Sequence, residues 1–153
     1  MNTIYMMIGI PGSGKTTIAR RLQASLDATI ISSDVVRQTH PDWKEEYVFP
    51  EVYRLIGYTL LKGRNVIFDA TNIDVETRKR HLSAIRSITT SFNLKAYFIE
   101  ADPQVCMKRI INRNEHHDEL YLPPEVALFY HRKLVPPTLI EGFDHIEIIT
   151  NTV

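Results

Sequence analysis

The chain has 153 residues, 44% of them hydrophobic and 24% charged, proportions that exclude a disordered or fibrous protein. Eighteen Lys and Arg balance eighteen Asp and Glu, so no global charge marks a grip on a long nucleic-acid tract or an anionic membrane, and any basic site must be local. That length is expected to form one compact domain, 1–153, with a two- or three-layer core and no room for a second catalytic domain.

Apolar runs of strand length alternate with segments of helical period, the pattern of βαβ units around a parallel sheet. In chain order this predicts a strand at 3–9, a helix at 14–27, a strand at 28–32 and helices at 34–39 and 50–62. There follow a strand at 65–69, a helix at 75–89, a strand at 94–100, helices at 103–112 and 124–134, and a last strand at 145–150. The stretches 40–50 and 114–123 are the most loop-like and are expected to form lids or substrate walls. Strands this apolar imply helices on both faces of the sheet, which leaves the C-terminal strand ends to carry the site. The start at 4–10 has no basic leader and runs into a glycine turn, unlike a signal peptide, and no apolar run reaches membrane-spanning length. The single cysteine, Cys106, cannot form an internal disulfide; in VCMKRII it reads as a small core residue, and the cytoplasm is the expected compartment.

After the first strand comes GIPGSGKTT at 9–17, which fits G-x-x-x-x-G-K-[ST] between an apolar strand and an amphipathic helix. Glycines let the backbone curl around phosphate oxygens, and the helix N-terminus adds free N–H groups and positive potential. Gly12, Ser13, Gly14, Lys15, Thr16 and Thr17 are therefore expected to bind ATP or GTP, with Lys15 bridging the β- and γ-phosphates and Thr16 ligating Mg²⁺.

At the end of the second strand, SSDVVR places Asp34 and Arg37 three residues apart on one helix face. Asp34 is placed to take a proton from an acceptor hydroxyl while Arg37 holds an anion beside it. The alternative is a helix-terminal carboxylate paired internally with Arg37, with Ser33 as the cap. Trp43, Tyr47, Phe49 and Tyr53 follow, either as a stacking platform for a base or as packing between lid and core.

The third strand closes on Asp69, a carboxylate for Mg²⁺ or its waters, with Thr71 and Asn72 either lining the pocket or shaping the turn. Arg78 beyond it reads as a structural ion pair. Arg109 and Arg113, four apart, are placed as lid cations over the transferring phosphate, or else on a solvated helix face. His116, His117 and Asp118 are adjacent and so do not share a helix face, which argues against a zinc site.

Taken together, GIPGSGKTT, SSDVVR, DATN at 69–72, KRIINR at 108–113 and FYHRKLVPPTLIEGF at 129–143 resemble the kinase domain of polynucleotide 5′-hydroxyl kinases over nearly the whole chain. The last segment is similar to the animal DNA-repair enzymes, and SSDxxR to bacterial RNA-repair kinases. The resemblance implies a three-layer P-loop kinase fold with about five parallel strands and a helical lid near 109–123. It also implies Lys15, Thr16, Arg109 and Arg113 on ATP and Mg²⁺, Asp34 as general base, and Arg37 on the acceptor, a 5′-hydroxyl polynucleotide end; Asn72, from its place after the third strand, is a further candidate substrate contact. A small-molecule kinase on an anionic alcohol or nucleoside, and a nucleotide-dependent switch without turnover, are the competing readings.

Overall fold

Strand β1 (Thr3–Ile8) is buried at all six positions, and its side chains divide between the two faces of a sheet as the two-residue period of a strand requires. Ile4, Met6 and Ile8 join one apolar cluster with Val52, Ile56, Phe68 and Leu82, whereas Tyr5 and Met7 join a second with Ile18 and Ala19. The computed structural model describes residues 1–116 and 121–151. Around β1 lie β2 (Ala28–Ser32), β3 (Asn65–Asp69), β4 (Asn93–Glu100) and β5 (His145–Thr150), in the spatial order β2-β3-β1-β4-β5 with every pairing parallel.

The connections are helical: α1 (Lys15–Leu26), α2 (Ser33–Thr39), α3 (Val48–Leu61), α4 (Val75–Arg86), α5 (Pro103–His116) and α6 (Val126–Lys133), with short 3₁₀ turns at Glu45–Tyr47 and Leu139–Glu141. All five predicted strands and all six predicted helices are present, and the α/β fold with a five-stranded parallel sheet and covering helices agrees with the sequence reading. Helix ends differ by up to a turn for identifiable reasons. Helix α3 starts at Val48, before the predicted Pro50, because a proline in the first turn has no N–H that the helix would miss. Helix α4 closes at Arg86, and Thr89 is reached only by a turn bond from its N–H to the Ile85 carbonyl. Helix α5 continues past 112 to His116, so Arg109 and Arg113 sit on one unbroken helix. The rest of the expected lid, and with it His117 and Asp118, extends into 117–120, outside the described residues. No described helix is long and apolar enough to cross a membrane.

Because β1 lies centrally and the chain crosses over it between β3 and β4, the carboxyl ends of β1, β2 and β3 open onto one crevice. Cross-strand register sets Ser32 beside Asp69, so the residues that follow β2 and β3 enter that crevice at the same height.

Candidate active site

The loop after β1 is shaped by two glycines in the left-handed region, Gly12 (φ 82°) and Gly14 (φ 91°). Gly14 is the N-cap of α1 and offers no side-chain cap, so among the described residues no side chain caps the first N–H groups of that helix, the end of a helix that suits an anion. A Cβ at position 12 would lie 2.6 Å from the Cys106 carbonyl oxygen, a fixed backbone atom of α5. Cys106 itself is buried with Ile10, Ile110 and Ala127, and burial pushes its thiol up, in keeping with a packing role. The Ser13 hydroxyl is buried and, among the described residues, has no hydrogen-bond partner.

Lys15 Nζ donates to the Ile10 carbonyl at 3.2 Å, folding the side chain back across the loop. Burial lowers its pKa, opposed by the nearby carboxylates of Asp69 and Asp34. Thr16 Oγ1 donates to Asp69 Oδ2 at 2.8 Å. Asp69, only 4% exposed, is pushed up by burial, with Lys15 and the Thr16 bond opposing. A glycine cradle with Lys15 and a hydroxyl–carboxylate pair of hard oxygen donors fit a nucleotide phosphate with Mg²⁺, which takes few protein ligands and shares the phosphates. Among the described residues there is no cluster of three or more His, Cys, Asp or Glu able to hold a metal by itself.

Asp34 stands in the first turn of α2. Its helix is capped by Ser32, whose side chain accepts from the Val35 N–H at 3.3 Å, rather than by Ser33 as the sequence suggested. The reason is that Ser32 keeps extended backbone angles while Ser33 already lies in the helix. Arg37 is ion-paired to Asp34 at 2.8 Å and to Glu45, so both of the carboxylates it touches are local. Behind it, the guanidinium lies 5.7 Å from the centroid of Phe49, which stacks on His81 at 4.5 Å. The aromatic cluster therefore splits: Phe49 and Tyr53 pack inward on His81, whereas Trp43 and Tyr47 are exposed and Trp43 stacks on His40.

His81 is 2% exposed, 2.5 Å from the Tyr53 hydroxyl through Nδ1, and held down to about 4 by burial and then by the charge of Arg80. In the unfolded chain it takes a proton below about 6.5, in the folded chain only below about 4. Stability is therefore expected to be full above pH 6.5 and to fall as pH drops toward 4, by up to about 3 kcal/mol from this group. Urea midpoints at pH 7 and 4.5 check it: His81→Gln should flatten that part of the pH dependence, and an unchanged slope would place the acid sensitivity elsewhere.

One cavity of about 670 Å³ brings together Gly12, Gly14, Lys15, Thr16, Thr17, Asp34, Arg37, Asp69, Asn72, Arg109 and Arg113. Six basic side chains line it against four acidic ones, which is how a chain of zero net charge builds a local anion site. Ser13 is buried and is not in the lining. Arg109 donates to the Gly12 carbonyl at 3.0 Å and reaches Asn151 Oδ1 at 3.5 Å, so it braces the phosphate loop as well as facing the cavity. Asn72 is 1% exposed at φ 47° and donates to the Met7 carbonyl at 2.8 Å, a turn-forming placement. Fully buried Arg78 holds that turn: it pairs with Glu141 at 2.7 Å and donates to the carbonyls of Asn72 and Val135.

Sequence reasoning missed Glu45, Arg80, Lys133 and Asn151. The first three line the cavity, and Asn151 donates to the Ser13 carbonyl at 2.8 Å. Only Asn151 carried a usable signal, since it directly follows a strand at the sheet's carboxyl edge.

A family described as AAA domain matches residues 4–137. An L-seryl-tRNA(Sec) kinase of Methanococcus maripaludis is 24% identical over 97% of this chain, which spans 59% of that relative's length. A candidate kinase from Chloroflexus aurantiacus has a similar structure (TM-score 0.79, 18% identity, 99% of this chain and 89% of that one). The structure of the Pnkp1/Rnl/Hen1 RNA repair complex also matches (TM-score 0.70, 23% identity, 87% of this chain and 44% of that one). At such identities the likeness of structures is one of fold, the P-loop kinase fold.

Proposed function

The chain belongs to the AAA domain family, and from that premise we propose that it is a kinase that moves the γ-phosphoryl group of ATP (or GTP) onto the 5′-hydroxyl end of a polynucleotide. The reading is carried by one observation: Asp34 and Arg37 share a cavity with Lys15, Thr16 and Asp69, so an acceptor carboxylate–arginine pair faces a donor-phosphate site. The motif resemblance and the likeness to a component of an RNA repair complex support the acceptor class.

In this reading the acceptor oxygen bonds to the γ-phosphorus as the bond from phosphorus to the β–γ bridging oxygen breaks, and Asp34 accepts the hydroxyl proton. Lys15, from the phosphate loop, and Arg113, from α5, offset the charge that develops on the transferred group. Arg109 holds the loop to the donor. Thr16 and Asp69 would hold Mg²⁺, which when bound neutralises β- and γ-phosphate charge. Arg37 takes the phosphate 3′ to the reacting nucleoside, and Asn72 shapes the pocket wall through its turn. Donor and acceptor are the partners this requires; no membrane partner enters.

The wild type should then prefer a nucleoside 3′-phosphate to the bare nucleoside. Arg37→Ala should raise the apparent KM for the phosphorylated acceptor by about 30-fold, the value of about 2 kcal/mol for a lost charge-assisted contact. Transfer of labelled phosphate onto both acceptors, and onto 5′-hydroxyl DNA and RNA oligonucleotides, checks this. Equal use of the two nucleosides, or preference for an unrelated alcohol, would favour a small-molecule kinase instead. The observation on that side is that Arg37 is already matched by two carboxylates.

A further inference from the structure

We propose that Glu45 sets acceptor selectivity by occupying, in the acceptor-free enzyme, the edge of Arg37 that an acceptor phosphate takes. The proposal rests on the reading of Arg37 as the acceptor-anion site. A guanidinium offers one side-on edge, Nε with one Nη, whose two parallel N–H groups match a carboxylate or phosphate. Here that edge belongs to Glu45: Arg37 Nε lies 3.0 Å from Oε1 and 3.0 Å from Oε2, and Nη2 donates to Oε1. The remaining nitrogen, Nη1, faces Asp34 at 2.8 Å. Asp34 thus stays beside an incoming hydroxyl while Glu45 and a phosphate compete for one edge.

The two carboxylates differ in how they are anchored. Asp34 belongs to α2, the helix that carries Arg37 itself, whereas Glu45 opens a three-residue 3₁₀ turn whose N-cap, Lys44, makes no side-chain capping bond. Among the described residues, the side-chain hydrogen bonds made by residues 40–47 are those that Glu45 accepts from Arg37. The Glu45 side chain is 67% exposed, and an ion pair so open to water contributes little to stability, so an arriving phosphate can displace it at small cost. Glu45 is nevertheless the strongest influence holding the charge on Arg37. An anion must thus compete with Glu45 for the edge, and an acceptor that also seats its hydroxyl on Asp34 competes best.

The test is equilibrium binding with the donor site filled by ADP and Mg²⁺, using two probes, inorganic phosphate and a nucleoside 3′-phosphate, with the bare nucleoside as control. Proteins are the wild type, Glu45→Gln, Glu45→Ala, Arg37→Ala and the Arg37→Ala/Glu45→Gln double variant. Removing the competing charge should tighten both phosphate probes by about tenfold, leave the bare nucleoside unchanged, and have no effect when Arg37 is absent. A merely structural role for Glu45 would give the opposite sign, since loosening the turn would weaken binding. If Glu45→Gln tightens inorganic phosphate but neither nucleoside binds any variant, the assignment of Glu45 stands and the polynucleotide reading falls. If neither phosphate probe tightens in Glu45→Gln or Glu45→Ala, or the gain persists without Arg37, the proposal is overturned.

Discussion

Lys15→Ala is expected to lower phosphoryl transfer by a factor on the order of 10³ or more while leaving the protein folded. Lys15 supplies the loop's own side-chain cation, and its ammonium spends its described hydrogen bond on a loop carbonyl rather than on the core. Folding should survive because β1 packs through Ile4, Met6 and Ile8 on one face and Tyr5 and Met7 on the other, none of which contacts depend on that charge. The loss should be largest in the maximal rate and smaller in ATP affinity, because in the proposed site the main-chain N–H groups at the start of α1 would still serve the phosphates. Single-turnover transfer of labelled γ-phosphate, with a thermal melt as control, decides it. Transfer within about twofold of the parent would remove Lys15 from the donor site.

The second large effect is expected at Asp34. Asp34→Asn keeps the shape of the side chain but removes the charge proposed to take up the acceptor proton, so the maximal rate should fall on the order of 10² or more with little change in acceptor KM. The substitution also breaks the 2.8 Å pair to Arg37, but Glu45 still holds that guanidinium, and the Ser32 cap still holds the start of α2. The loss is therefore chemical rather than architectural. A rate within threefold of the parent would leave Asp34 as the helix-terminal partner of Arg37 and nothing more, which is the other role its position allows.

Several residues show how far local pattern carries. The left-handed glycines at 12 and 14 sit in the motif that demanded them, whereas Thr16 and Asp69, read separately from the motif and from the end of β3, are shown only by the fold to meet at 2.8 Å. Arg78 read as an ion pair, and it is one, yet its partner Glu141 lies 63 residues away in a segment with no pattern pointing back to it. Asn72 shows the opposite case: its residue type allows a turn or a ligand, and only the Met7 carbonyl of β1 shows that the amide is engaged in the turn.

What the sequence by itself determined is the order of strands and helices, the phosphate loop, and the set of charged residues at strand ends. Those follow from periodicity and from motifs in which interacting residues lie within a few positions of one another, so that spacing alone implies contact. What only the tertiary structure decided is which charges face each other. Zero net charge concealed a cavity of mixed but locally basic lining, and Glu45 looked like any loop acid until the 3₁₀ turn folded it onto Arg37. Asn151 reaches the Ser13 carbonyl across 138 residues because β5 ends beside the loop that follows β1. Electrostatic partners are chosen by distance in space, and in a parallel sheet the distance between strand ends is set by crossover topology rather than by separation along the chain.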